Sequence, residues 1–302
     1  GLPNLIYRDE SGIHANKDVC SEDLSKLPPP DFDGLALEKY FVPKLILPFL
    51  ATRGCYWGRC TFCDHFQGYV EGFRTMQVDQ IVDEIRFLQN KYNTRYFHFT
   101  DESYPPALFR KLSQRIVEEE LNIVWTTHMR FEETLLDDQV WKDAHTSGCR
   151  YLHFGFESGN QRVLKLMDKA TKLDAIETNL RMSSEAGIWN HIMGFFGFPG
   201  ETKEYMQETI DYLETVDVDW VQTFTALPLP GTEMFRQFAN RGVIDPDNIN
   251  WDYCGYADRE FETEEISKQE YNLVETLKTN CRKTIKEKTG KRPHTNVNLV
   301  RI

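Results

Sequence analysis

From Leu45 to about Pro230, short apolar runs alternate with longer segments of mixed polarity. The runs Leu45–Thr52, Thr94–Thr100, Asn122–His128, Arg150–Phe156, Trp189–Phe195 and Val218–Thr225 predict strands. The intervening segments Val78–Tyr92, Ala107–Leu121, Glu133–Ser147, Leu173–Ala186 and Thr202–Val216 carry apolar residues three and four apart and predict helices. In the first helix, Ile81, Val82, Ile85 and Leu88 share a face that Asp83, Glu84 and Arg86 avoid. Strict alternation of this kind builds βαβ units around a parallel sheet. Gly148 and Gly187 stand between a helix and the next strand, where a residue of positive φ ends a helix. Six units are too few for a closed eight-unit barrel. The predicted fold class is therefore α/β, a partial (β/α)6 TIM-like barrel, with an open doubly wound sheet as the competing architecture. Either one gathers ligands at the C-terminal ends of its strands.

The pattern also divides the chain. Residues 1–44 read as a polar, irregular lead-in with a Pro28-Pro29-Pro30 stop that favours extended backbone. Residues 45–232 form the barrel, and residues 233–302 a C-terminal extension. That extension begins loop-rich, with Phe235, Phe238, Trp251, Tyr253, Tyr256 and Phe261. It continues as an amphipathic helix from Ile266 to about Lys288 and ends in a loose basic tail.

Composition narrows the function. Of 302 residues, 35 are Lys or Arg and 47 Asp or Glu, a net charge of −12. That balance excludes bulk electrostatic binding of nucleic acid. With 40% hydrophobic and 27% charged residues, the chain has the make-up of a soluble globular protein. It contains no apolar run of the roughly 18 residues that a membrane span takes. Its first ten residues, GLPNLIYRDE, lack the basic-then-apolar order of a signal peptide. The expectation is a cytoplasmic protein that does not engage membranes. Seven cysteines are too few for a disulfide scaffold, yet three of them fall between Cys55 and Cys63.

Those three lie in Ala51-Thr-Arg-Gly-Cys55-Tyr-Trp-Gly-Arg-Cys60-Thr-Phe-Cys63-Asp-His65, on the loop that leaves the first predicted barrel strand. The spacing is C-x4-C-x2-C. Three thiolates on one short loop can wrap a single soft centre. A structural zinc takes four ligands, and His65 could complete such a set. A [4Fe–4S] cluster normally takes four cysteines. With three, one iron stays open for a chelating ligand. Three unrelated core thiols are the remaining reading. Two classes of function follow, a cluster enzyme and a zinc-stapled binding module built on the barrel.

The stretch RGCYWGRCTFC resembles the cluster loop of radical S-adenosylmethionine (SAM) enzymes, one residue longer in its first gap than the usual C-x3-C-x2-C. RYFHFTDES (95–103), LHFGFESGNQRVLKLMDKAT (152–171), GFFGFPGETKE (194–204) and LPLPGT (227–232) resemble strand-end motifs of the same superfamily. They are most similar to the branch that carries a cobalamin-binding domain ahead of the radical domain, and LPPPDFDGLALEKYF resembles the linker after that domain. The likeness runs over roughly residues 27–235.

This resemblance implies that Cys55, Cys60 and Cys63 hold a [4Fe–4S] cluster. SAM would chelate the open iron and be cleaved reductively to a 5′-deoxyadenosyl radical. Phe62 would pack near the adenine. Asp101 and Glu102 would accept from the SAM ammonium, Glu102 foremost. Glu157 would reach the ribose, and Lys169 and Arg130 would face the cofactor edge. Ser158 would bind or cap the next helix, and Gly197 would let backbone approach the adenine. Thr202 reads as a simple N-cap. Tyr56, Trp57 and His65 lie beside the cluster and read equally as packing and redox shielding or as catalytic groups. His98, His128 and His153 read as hydrogen-bonded core groups rather than ligands.

The activity implied is the catalytic part of a cobalamin-dependent C-methyltransferase. It would act on a small molecule or peptide with electrons from a flavodoxin- or ferredoxin-type donor. A cobalamin-binding domain is larger than the lead-in, so it is expected outside this chain, in a longer protein or on a separate polypeptide. The alternative is a cobalamin-free radical SAM enzyme that performs cyclisation, bond cleavage or sulfur insertion.

Overall fold

The computed structural model describes residues 2–18, 20–65 and 72–249. The helix expected from Ile266, the aromatics from Trp251 to Phe261 and the basic tail lie outside the described residues.

The chain opens with a hairpin, β1 (Ile6–Asp9) paired antiparallel with β2 (Gly12–Ala15). Asp9 closes the turn by accepting from the Ser11 N–H at 2.8 Å and its hydroxyl at 2.6 Å. This element replaces part of the expected irregular lead-in. All four β1 residues are exposed, so the strand has no buried face to leave a period-2 pattern in the sequence.

The barrel strands are β3 (Ile46–Phe49), β6 (Tyr96–Phe99), β7 (Val124–Met129), β8 (Cys149–Glu157), β9 (Trp189–Phe196) and β10 (Trp220–Thr225). A short antiparallel pair, β4 (Thr52–Arg53) and β5 (Arg74–Thr75), flanks the cysteine loop. The helices are α1 (Val78–Tyr92), α2 (Pro106–Glu118), α3 (Asp138–Thr146), α4 (Gln161–Leu166), α5 (Leu173–Glu185), α6 (Lys203–Thr215) and α7 (Glu233–Asn240). Every expected strand and helix of the barrel is present. α3 starts later than expected because Asp137 caps it, accepting from the Gln139 N–H. Two short helices, α4 and α7, escaped the periodicity reading.

The six strands are parallel and lie in the order β3-β6-β7-β8-β9-β10. Each new strand adds beside the last and the order never reverses. A doubly wound sheet contains such a reversal, so the architecture is the partial barrel. Each crossover then packs its helix on the same side of the sheet. Gly148 has φ +94°, and a Cβ there would meet the Ile123 carbonyl oxygen at 1.9 Å, so only glycine turns the chain from α3 into β8.

Most strand residues that face the helices are apolar and fully buried, Asn190, bonded to Leu180 and Ser183 of α5, being polar. Leu47, Phe49, Phe97, Phe99, Trp125, Leu152, Phe154 and Ile192 form one cluster with Ile85 and Leu88 of α1, Leu112 and Ile116 of α2, Trp141 of α3 and Leu180 of α5. Alternation sends their neighbours to the concave side. There the strands present Tyr96, His98, Thr126, His128, Tyr151, His153, Trp189 and His191. The lumen is thus polar and aromatic, whereas all-parallel sheets commonly bury both faces in aliphatic side chains.

Candidate active site

The cysteine loop leaves β3 at the C-terminal edge of the sheet, and the chain holds it there from several sides. Thr61 N–H donates to the Met167 carbonyl at 3.0 Å and the Trp57 indole to the Asp168 carbonyl at 2.7 Å. Arg59 pairs with the Asp168 carboxylate at 3.0 Å. The Trp57 ring lies between the guanidiniums of Arg59 and Arg130, each 4.9 Å from the ring centre. Tyr56 donates to Glu132 at 2.9 Å, and Met234 N–H of α7 donates to the Thr61 carbonyl at 2.8 Å. Asp168, Glu132 and α7 were not singled out as loop supports by sequence. Their partners are distant in the chain, so only folding brings them together.

Cys60 is buried, Cys55 and Cys63 are half-buried, and none is in a disulfide. Burial pushes the Cys60 thiol up, against the pull of Lys169 and Arg130. Burial pushes Cys63 up to about 12, and the charges of Cys60 and Cys55 add to this. The three sulfurs are therefore close enough to feel one another. Among the described residues, however, they do not form a set of donors all within 4.8 Å, as ligands of one tetrahedral ion would. His65 shares such a set with Cys63 and Asp64 only. Three soft donors set apart around a buried, partly cationic space suit a multi-iron cluster better than a single zinc. Loading a metal centre would take the protons off these raised thiols, a cost that the metal–sulfur bonds would offset.

The other expected residues fall into two groups. Arg130, Lys169, Glu157 and Phe62 meet beside the cysteines. Arg130 is nearly fully buried, which excludes a plain surface role. It pairs with Glu132 at 3.1 Å, donates to the Lys169 carbonyl, and lies 3.9 Å from the Cys60 sulfur. Lys169 and Glu157 pair with each other at 2.7 Å. A bulge makes this possible: the β8–β9 register shifts between Gly155 and Glu157, and Glu157 takes φ +64°. A Cβ at Gly155 would lie 2.8 Å from both Glu157 Oε1 and Lys169 Nζ, so a side chain there would push the ends of that pair aside. Phe62 packs edge-to-face on Phe195 at 4.7 Å, within a small apolar cluster with Val163, Met167 and Phe198.

Three residues expected at the cofactor have hydrogen-bond partners within the chain. Asp101 is fully buried and turned onto Thr52, accepting from its N–H and its hydroxyl, each at 2.6 Å. Burial raises it to about 7. It fastens the entrance of the cysteine loop, while Glu102 beside it is half-buried. The Ser158 hydroxyl is fully buried against Thr209 of α6 at 3.0 Å and accepts from Asn160 N–H. The cap of α4 is Asn160, which accepts from Arg162 and Val163. Gly197 N–H donates to Glu201 at 2.7 Å. Glu201, also missed by sequence, is fully buried, takes Phe198 N–H as well, and is raised by burial to about 8. These groups shape the rim from behind. Thr202 caps α6 as expected, accepting from Tyr205 N–H.

The comparisons with known proteins agree with this architecture. The Radical SAM superfamily model matches residues 49–213, so the chain belongs to the radical SAM superfamily, whose enzymes use a [4Fe–4S] cluster and SAM. An uncharacterized methyltransferase of Pyrococcus horikoshii is 28% identical over 286 residues, spanning 89% of this chain and 59% of that protein. Cytidylyl-2-hydroxyethylphosphonate methyltransferase of Streptomyces wedmorensis is 28% identical over 246 residues, spanning 74% of this chain and 45% of the relative. The chain thus covers only about half the length of these relatives. Among solved structures, the radical SAM methyltransferase TsrM from Kitasatospora setae, with cobalamin and a [4Fe–4S] cluster bound, superimposes with a TM-score of 0.62 at 20% identity. That match covers 80% of this chain and 49% of TsrM. At that identity the likeness establishes the shared fold.

Proposed function

We propose that residues 45–232 are the radical-generating unit of a cobalamin-dependent C-methyltransferase, with 1–44 leading into it and 233–302 following. One observation carries the reading. The three-cysteine loop at the strand ends is clamped against buried Arg130 and the Lys169–Glu157 pair. Cys55, Cys60 and Cys63 hold the cluster. When bound, the cluster would supply the electron for reductive cleavage of SAM to methionine and a 5′-deoxyadenosyl radical able to abstract hydrogen.

The chain's own residues bind and orient SAM. Glu102, in place of Asp101, accepts from the SAM ammonium, a charge-assisted contact of about 1.5–3 kcal/mol. Lys169 offers its ammonium to the SAM carboxylate, and Glu157 its carboxylate to the ribose hydroxyls. Phe62 and Phe195 present an apolar face to the adenine. Arg130 holds the Lys169 segment against the loop. The methyltransferase names of the two relatives and the cobalamin of TsrM support methyl transfer as the outcome. The substrate is a small molecule or peptide, the electron donor is of flavodoxin or ferredoxin type, and the cobalamin-binding part is carried outside residues 45–232.

The test is anaerobic reconstitution followed by incubation with SAM and dithionite, with and without methylcobalamin. The expected result is a brown protein with about four irons per chain that forms 5′-deoxyadenosine. Cys60→Ala should abolish the product while circular dichroism stays unchanged. A colourless protein with zinc and no iron, or cleavage that survives Cys60→Ala, would overturn the reading.

A further inference from the structure

We propose that His98, His128 and His153, on the concave face of the barrel, form a binding site for one divalent cation of the zinc class, separate from the cysteine loop and open to the lumen. The three residues come from adjacent strands β6, β7 and β8, and one ring nitrogen of each lies within 4.8 Å of one from each of the others. His128 and His153 are register partners, and His191 of β9 continues the row beyond them. Sequence alone reads these residues as hydrogen-bonded core. The structure departs from that reading: His98 Nε2 and His128 Nδ1 are buried and have no hydrogen-bond partner among the described residues. Leaving such a group unpaired is costly, so two of them on one face of a lumen point to a ligand.

The chemistry of the set favours a metal ion. Three imidazoles with no carboxylate among them suit zinc and its first-row neighbours rather than calcium or magnesium. Burial, joined at His128 and His153 by repulsion from neighbouring histidines, favours the neutral rings, which are the ligating form. His191 Nδ1 lies 2.9 Å from His153 Nδ1, and with His153 as the donor its Nε2 is left to ligate, the arrangement outer partners give ligating histidines. The His98 and His153 planes differ by 14° and those of His128 and His153 by 28°. Closing three donors on one ion therefore requires ring rotation about χ2, a broad and soft torsion. Three protein ligands leave a fourth position open. It faces the lumen, where an oxygen or nitrogen donor of a substrate could occupy it.

The site is tested on the full chain with its cysteine loop first saturated with iron and sulfide, so that the thiols cannot take zinc. Zinc(II) is the probe, read by equilibrium dialysis and by X-ray absorption at the zinc edge. The expected result is one zinc per chain with nitrogen or oxygen neighbours at about 2.0–2.1 Å and no sulfur at about 2.3 Å. His128→Gln should weaken zinc binding by roughly 100-fold or more, beyond what loss of even an outer partner does. His145→Gln, on α3 outside the lumen, should leave it unchanged. His98→Gln serves as the second variant if His128→Gln fails to fold. No zinc on the iron-loaded protein, zinc with sulfur neighbours, or zinc retained at full affinity in the folded lumen variant would each overturn the proposal. None of these readouts depends on SAM cleavage, so the test stands apart from the radical chemistry.

Discussion

The two faces of the same six strands are built for different work. Toward the helices, β6 presents Phe97 and Phe99, β7 Trp125, and β8 Leu152 and Phe154, all fully buried in one cluster. Toward the lumen, on the alternate positions of the same strands, stand His98, His128 and His153. The outer face supplies stability, because apolar burial contributes about 25 cal/mol per Å² and close packing leaves no slack. The inner face gives up that contribution and holds polar groups ready for a guest. The strand ends belong to neither face. There a bulge, a left-handed Glu157 and a buried ion pair build the rim on which the cysteine loop rests.

This division can be broken by substitution. The largest effect is expected on the outer face. Trp125→Ala removes a fully buried ring packed 5.5 Å from both Phe99 and Phe109, and its indole's hydrogen bond to Ser147. Urea denaturation should show a loss of about 3–5 kcal/mol. At the rim, Lys169→Ala leaves the Glu157 carboxylate without its 2.7 Å partner and should cost about 3 kcal/mol by the same measurement, the lower end for breaking a buried pair. A loss well under 1 kcal/mol would show that the rim pair is solvated in practice.

A smaller effect concerns pH. Glu201 is raised from 4.5 to about 8 by burial, so between those values the folded state binds more protons than the unfolded one. Its contribution to stability therefore falls as pH rises through that window. Asp101, raised to about 7, has the same sign and is nearly exhausted above pH 7. The denaturation midpoint should fall between pH 7 and 8, and Glu201→Gln, which keeps an oxygen for Gly197 and Phe198, should flatten that slope. An unchanged slope would place the titrating group elsewhere. The smallest effect is expected in the lumen itself. Gln222→Ala, half-buried on β10, should shift stability by no more than about 0.5 kcal/mol. A larger loss would mean that the inner face also carries the fold.

How much could be read in advance varies by region for physical reasons. The barrel helices were legible because each buries one stripe against the sheet, and the strands because each carries an apolar outer face. The β1–β2 hairpin was not, since it buries nothing. α4 and α7 are too short to show a period, although Asn160 and Thr232 mark their caps. At the site, the cysteine spacing and the strand-end acids identified the right edge of the sheet. They could not say which acid looks outward. Asp101 and Glu102 are adjacent, and only the backbone path sends Asp101 inward to Thr52.

By itself the sequence determined the order of strands and helices, the three thiols on one loop and the family likeness, because periodicity and spacing are local properties of the chain. Tertiary structure alone decided the rest. It folded Asp168 and Glu132 onto the cysteine loop, bonded Ser158 to Thr209, Gly197 to Glu201 and Asp101 to Thr52, and lined up His98, His128 and His153 across three strands. Those outcomes depend on strand register and on partners remote in sequence, and no local pattern records which residues will stand side by side once the sheet has closed.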